Sequence, residues 1–163
     1  MNANDFWQQT LDEIPLLNYM NVTLTSYQRM PDDGKQGCGA QLRLDAPLAP
    51  NKNDKQTGFG GSLASLATIC GWALTALELK NLELAGEIVI VESTMNYKAP
   101  ITDDFYATGQ ILPTEQQCFL QQLNDKGRAK LDLTIAVKQR ETVAAELRGQ
   151  YRAKLVSAKK HGS

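Results

Sequence analysis

Histidine is almost missing from this sequence: among 163 residues only His161 is one, and it lies close to the C-terminus. A Ser-His-Asp or Cys-His system needs a histidine base, so that chemistry is excluded from the body of the chain. Cysteine is scarce as well. Cys38, Cys70 and Cys118 stand too far apart for a metal knuckle or a redox pair, and an odd number argues against a disulfide scaffold. With so little imidazole and thiol, no metal site is expected. Charge of one sign is also lacking: 17 Lys plus Arg balance 18 Asp plus Glu, for a net charge of -1. That balance supplies no broad cationic field for nucleic acid or an anionic membrane. The first residues, Met1-Asn2-Ala3-Asn4-Asp5, show no basic leader before an apolar core, so a cytoplasmic protein with free thiols is expected.

What is present fits one globular domain over residues 1–156 with a polar tail over 157–163: 42% of the chain is hydrophobic and 21% charged. From Phe59 to Leu77 no residue is charged, long enough for a short membrane span. Gly60, Gly61, Ser62, Ser65, Thr68, Gly71 and Thr75 dilute it, however, and close basic anchors are missing, so it is read as a helix enclosed by protein. It should start near Gly61 or Ser62, run to about Lys80, and stay dry on almost every side until Glu78.

Ahead of it, residues 3–20 have the spacing of an amphipathic helix capped by Asn4 or Asp5, with a break or a second short helix at Pro15. Residues 22–30 and Gly39 to Leu44 read as a hairpin around the turn Pro31-Asp32-Asp33-Gly34. A long aperiodic loop, Asp45 to Phe59, leads into the apolar helix. Behind it, strands are expected at Glu87 to Lys98, Phe105 to Leu112 and Cys118 to Leu123, the last followed by the turn Asn124-Asp125-Lys126-Gly127. The segments around Ala129 to Lys138 and Val143 to Arg152 alternate with period two. No strand-helix-strand unit recurs, so the class is α+β: one buried helix against an antiparallel sheet of five or six strands.

Chemistry concentrates where the polar loop Asn51-Lys52-Asn53-Asp54-Lys55-Gln56-Thr57-Gly58 runs into Phe59-Gly60-Gly61-Ser62. The first N–H groups of a helix lack intrahelical partners, and glycines let a ligand approach them. Such a place can polarise a carbonyl oxygen that becomes negative. A plain glycine-rich connector with Ser62 as cap explains the same residues. No Gly-Lys-Ser or Gly-Lys-Thr follows, which excludes a nucleotide phosphate loop. Asp54 is the carboxylate best placed to serve as a base, and otherwise a solvated loop acid. Glu92, Thr94 and Asn96 share one face of their strand, opposite Ser93, Met95 and Tyr97; Tyr97 and Lys98 could rim a pocket. Arg128, Lys130, Arg148, Arg152 and Lys154 offer scattered positive charge, which ordinary surface charge explains and which would also suit a phosphorylated carrier such as coenzyme A.

The order of these features resembles the hotdog-fold thioesterase superfamily, and within it the thioesterase domain found alone or behind an acetyltransferase domain in bacteria. The matching text is Ala49-Pro50-Asn51-Lys52-Asn53, Thr57 through Ala67, Gly71-Trp72-Ala73-Leu74, and Ser93 through Ile101. The resemblance implies a long helix wrapped by a curved antiparallel sheet and a homodimer joined edge to edge, with further pairing into tetramers left open. It implies hydrolysis of acyl thioesters of coenzyme A or acyl carrier protein at the dimer interface, with no cofactor. Gly61 and Ser62 would hold the oxyanion and Asp54 or Asn53 would direct water. Asn51, Phe59, Gly60, Ser65, Thr68, Asn96, Tyr97 and Lys98 would contact substrate. The chain departs from many relatives in having Phe59 where a histidine precedes the glycine pair. It also has Thr68 and Ile69 where several carry an acid. A non-catalytic acyl-binding module on the same fold is the alternative.

Overall fold

The computed structural model describes residues 2–30 and 38–156. The expected turn at Pro31 to Gly34 and the tail bearing His161 lie outside the described residues. In chain order the elements are α1 (Ala3–Glu13), α2 (Pro15–Tyr19), β1 (Thr23–Arg29), β2 (Ala40–Ala46), a short 3-10 turn (Ala49–Asn51) and α3 (Gly60–Asn81). Then follow β3 (Gly86–Tyr97), β4 (Phe105–Ile111), α4 (Pro113–Lys126), β5 (Arg128–Gln139) and β6 (Thr142–Leu155).

The six strands form one antiparallel sheet in the order β1-β2-β4-β5-β6-β3. Alternation decides its faces. Leu42 and Leu44 on β2, Ala107 on β4, Leu131, Leu133, Ile135 and Val137 on β5, and Leu147 and Tyr151 on β6 point inward, where α3 fills the concavity. The helix is buried over thirteen of its 22 residues, which is why a segment long and apolar enough to span a bilayer is here a core helix. Gly71 lets it approach β6: a Cβ there would collide with the Tyr151 hydroxyl, which donates to the Thr68 carbonyl at 2.9 Å. This is the hotdog arrangement that the resemblance implied.

Several expectations need correction. The first helix is capped by Asn2, not Asn4 or Asp5: the Asn2 side chain accepts from the Asp5 N–H and the Asp5 carboxylate from the Asn2 N–H. The expected second short helix at Pro15 is present: the segment divides into α1 and α2, the fixed φ of Pro15 suiting the first position of a new helix. On β1 a bulge between Leu24 and Ser26 breaks strict alternation, so Leu24 and Tyr27 both sit opposite the buried Leu44 and Leu42. Cys118 to Leu123 is helix rather than strand: α4 has Pro113 in its first turn, buries Gln116, Phe119 and Leu123, and ends at Gly127 in the left-handed region. It closes one end of the sheet, adding Phe119 and Leu123 to the common core. Glu78, expected to begin the wet part of α3, is fully buried.

Candidate functional site

The first turn of α3 opens onto a cleft of about 530 Å³ lined by Gly58, Gly60, Gly61, Leu63, the segment Tyr97 to Pro100, and Ile101. The helix starts at Gly60 with Phe59 at the capping position and no side-chain cap, so Ser62 lies inside the first turn and caps nothing. The N–H groups of Gly60, Gly61 and Ser62 therefore have no intrahelical acceptor, and the positive end of a 22-residue helix faces the cleft. Two aromatic rings flank the glycine pair. A Cβ on Gly60 would touch the Tyr97 ring at 3.4 Å, and one on Gly61 would overlap the Phe59 ring. Tyr97 Oη donates to the Gly60 carbonyl at 2.9 Å, tying the end of β3 to the start of α3.

The loop before the helix is held by Asn53. Its Oδ1 accepts from the N–H of Lys55 (2.9 Å), the N–H of Thr57 (3.1 Å) and the Thr57 hydroxyl (3.2 Å), while Nδ2 donates to the same hydroxyl at 3.0 Å. The backbone pairs Lys52 with Gly58, and Gln56 takes a φ of 62° to close the turn. Asn53 thus shapes the loop, its oxygen already engaged by three donors. Asp54 projects from the tip with a side chain 84% exposed, 3.9 Å from Lys55 Nζ. It does not line the cleft of its own chain.

Of the residues expected to contact substrate, Gly60, Tyr97 and Lys98 line the cleft and Phe59 stands half-exposed beside it. Asn51 does not: it is 1% exposed, and its Nδ2 donates to the carbonyls of Met20 and Pro47, both at 2.8 Å. Its own carbonyl accepts from Phe59 N–H at 2.7 Å, so it braces the loop from behind. Asn96 does not line the cleft either. It sits opposite Glu146 on the outer face of the sheet, whereas Tyr97 sits opposite the buried Ala145. Ser65 and Thr68 follow Gly61 at helical spacing on the one partly exposed side of α3, and Trp72 continues that stripe. At the far end Trp72 Nε1 donates to the Ile88 carbonyl at 3.2 Å. The stripe therefore touches β3 at both ends, through Tyr97 and Ile88.

Sequence reasoning missed a buried polar cluster at the other end of α3. Glu78 accepts from Tyr27 Oη and from Gln116 Nε2, both at 2.6 Å, with Arg29 Nε at 3.7 Å. Burial and the neighbouring carboxylate push the Tyr27 phenol far above its usual range. The bulge on β1 turns Tyr27 inward, and alternation alone does not show it. Among the described residues, no three or more His, Cys, Asp or Glu side chains cluster closely enough to hold a metal ion.

The family described as "Putative thioesterase (yiiD_Cterm)" matches residues 3–155. Among solved structures, a putative thioesterase from Shewanella oneidensis is 27% identical, with 93% of this chain and 97% of that one covered at a TM-score of 0.78. A protein of unknown function from Chlorobaculum tepidum is 28% identical, with 93% of each chain covered at a TM-score of 0.79. A Pseudomonas aeruginosa protein described as a probable thioesterase is 17% identical, with 96% and 97% covered and a TM-score of 0.77, and shares the fold.

Proposed function

This chain belongs to the yiiD C-terminal thioesterase family, and we propose that it hydrolyses an acyl thioester at the first turn of α3, in a cleft completed by a second copy of the chain. The observation that carries the reading is the open row of N–H groups at Gly60, Gly61 and Ser62 beside Tyr97. A thioester carbonyl oxygen set against Gly61 and Ser62 gains donors that strengthen as it becomes an oxyanion, each worth about 3–4 kcal/mol of barrier. Water attacks the carbonyl carbon, its proton passes to the Asp54 carboxylate, the C–S bond breaks, and the thiolate leaves with that proton. Asn53 holds the loop that presents Asp54. Because Asp54 lies outside its own chain's cleft, its carboxylate would serve the cleft of the partner.

The free edge of β3 supports pairing of two copies there. The strand is 12 residues long, bonded on one side only to β6, and exposes Val89, Val91 and Tyr97. An edge of that length and apolarity invites a second strand. The acyl chain would lie along Ser65, Thr68 and Trp72, between α3 and the inner face of β3. Free thiols at Cys38, Cys70 and Cys118 suit a reducing cytoplasm.

One feature favours the alternative of an acyl-binding module: the cleft of a single chain is lined by neither carboxylate nor histidine. Turnover of a panel of acyl-CoA and acyl-carrier thioesters separates the two. Asp54→Ala is expected to lower kcat by about 10²-fold or more with little change in KM. Unchanged kcat would remove Asp54 from its role, and binding without turnover of any thioester would select the module.

A further inference from the structure

The face of α3 that carries Gly61, Ser65 and Thr68 does not end at Trp72. Ala76 and Leu79 continue it at helical spacing, and both line a hollow of about 470 Å³ between α1, α3 and the Gly86 end of β3. Phe6, Leu84 and Ile88 give this hollow further apolar wall. Between it and the cleft at the first turn, the facing side chains are short or only half-buried. They are Ser65 and Thr68 on α3, and Ser93 and Met95 on the inner face of β3, opposite the buried Gly149 and Leu147.

One side chain divides the two spaces. Trp72 follows Thr68 by one turn and is the first α3 residue to line the hollow. Its indole is held from two sides. Nε1 donates to the Ile88 carbonyl at 3.2 Å, and the Phe6 ring stacks on it with centroids 5.9 Å apart and planes 21° apart. Moving the indole forfeits a hydrogen bond and an aromatic contact together, so it stands as a fixed wall tied to both β3 and α1.

We infer that Trp72 sets the longest acyl chain the site accepts. The inference rests on the thioester reading, with the carbonyl held at Gly61 and Ser62. From Gly61 to Trp72 the helix advances roughly 16 Å, and an extended alkyl chain takes about 1.3 Å per carbon, so the span holds about ten to twelve carbons. Each methylene laid along it adds up to about fourfold in affinity until the chain meets the indole. A longer chain must displace a fixed ring or turn out into water, and the gain stops. The substrates are then medium-chain acyl thioesters, and the hollow behind Trp72 stays out of their reach.

The test is a profile of kcat/KM over straight-chain acyl-CoA thioesters from butyryl to stearoyl. Wild type should climb to about dodecanoyl and fall about tenfold or more by palmitoyl. In Trp72→Ala the palmitoyl-to-octanoyl ratio should rise about tenfold or more, carried by KM, because the tail now enters the hollow. Adding Ala76→Phe to that variant refills the hollow and should restore the wild-type ratio. A wild-type profile flat through palmitoyl overturns the inference, as does an unchanged ratio in folded Trp72→Ala. A second measurement leaves Trp72 in place. The chain has two tryptophans, and Trp7 Nε1 has no hydrogen-bond partner among the described residues, so Trp7→Phe breaks no such bond and leaves Trp72 as the sole indole. Its emission should shift with dodecanoate and not with hexanoate, and equal response to both, or to neither, overturns the length stop. This titration needs no turnover: if no thioester is hydrolysed the hydrolase reading fails, while the fluorescence still decides the role of Trp72.

Discussion

Glu78 shows how much one buried side chain can hold together. It sits on α3, accepts from Tyr27 on β1 and from Gln116 on α4, and Gln116 Oε1 in turn accepts from the Cys38 N–H ahead of β2. Removing it leaves a phenol and an amide without their acceptor in a dry place, which costs more than the lost bonds themselves. Glu78→Ala is expected to lower unfolding free energy by about 3 kcal/mol or more, read as a fall in the urea midpoint at constant slope. In the sequence Glu78 reads as the first solvated residue of α3, because a charge after an apolar run marks the wet end of most helices. Its partners come from segments 51 and 38 residues away, so no local pattern could reveal them.

At the scale of elements, legibility follows local pattern. The uncharged run from Phe59 to Leu77 announces α3, and the alternations Ala129 to Val137 and Val143 to Tyr151 announce β5 and β6. The segment 113–126 is ambiguous because Cys118-Phe119-Leu120 gives a short apolar run that suits a strand equally well. Its helical signals are present: Pro113 in the first turn, Gln116, Phe119 and Leu123 on one face, and Gly127 just past the end. Gly127 has φ 65°, and a Cβ added there would meet nothing within 4 Å, so backbone strain alone opposes a larger residue. Gly127→Ala should therefore cost about 1 kcal/mol, lowering the thermal midpoint without touching KM. For the site, the glycine pair and Tyr97 are legible as a motif. The inward role of Asn51 is not, because only tertiary packing sets the loop against the carbonyls of Met20 and Pro47.

The whole molecule carries its acid–base behaviour in the core. Burial pushes the Cys70 thiol and the Tyr151 phenol above their ordinary values of 9.0 and 10.0, and Tyr27 moves the same way. All three stay protonated when folded, while the unfolded chain releases its protons once pH passes those ordinary values. Their contribution is complete below about pH 9 and is lost as pH rises beyond it, by up to about 1.4 kcal/mol per pH unit for each group. Denaturant midpoints measured from pH 8 to 11 should fall progressively, and Cys70→Ala should delay the onset.

Assembly belongs to the same scale. If the cleft is completed across β3, specific activity should decline on dilution as dimers part, in step with the sedimentation coefficient. Tyr97 ends that exposed strand and also bonds the Gly60 carbonyl. In the proposed dimer a single phenol would stand both at the seam and at the rim of the cleft. Subunit exchange and turnover would then share a gatekeeper, and a chain stripped of its companion would lose the geometry of the chamber before it lost its fold.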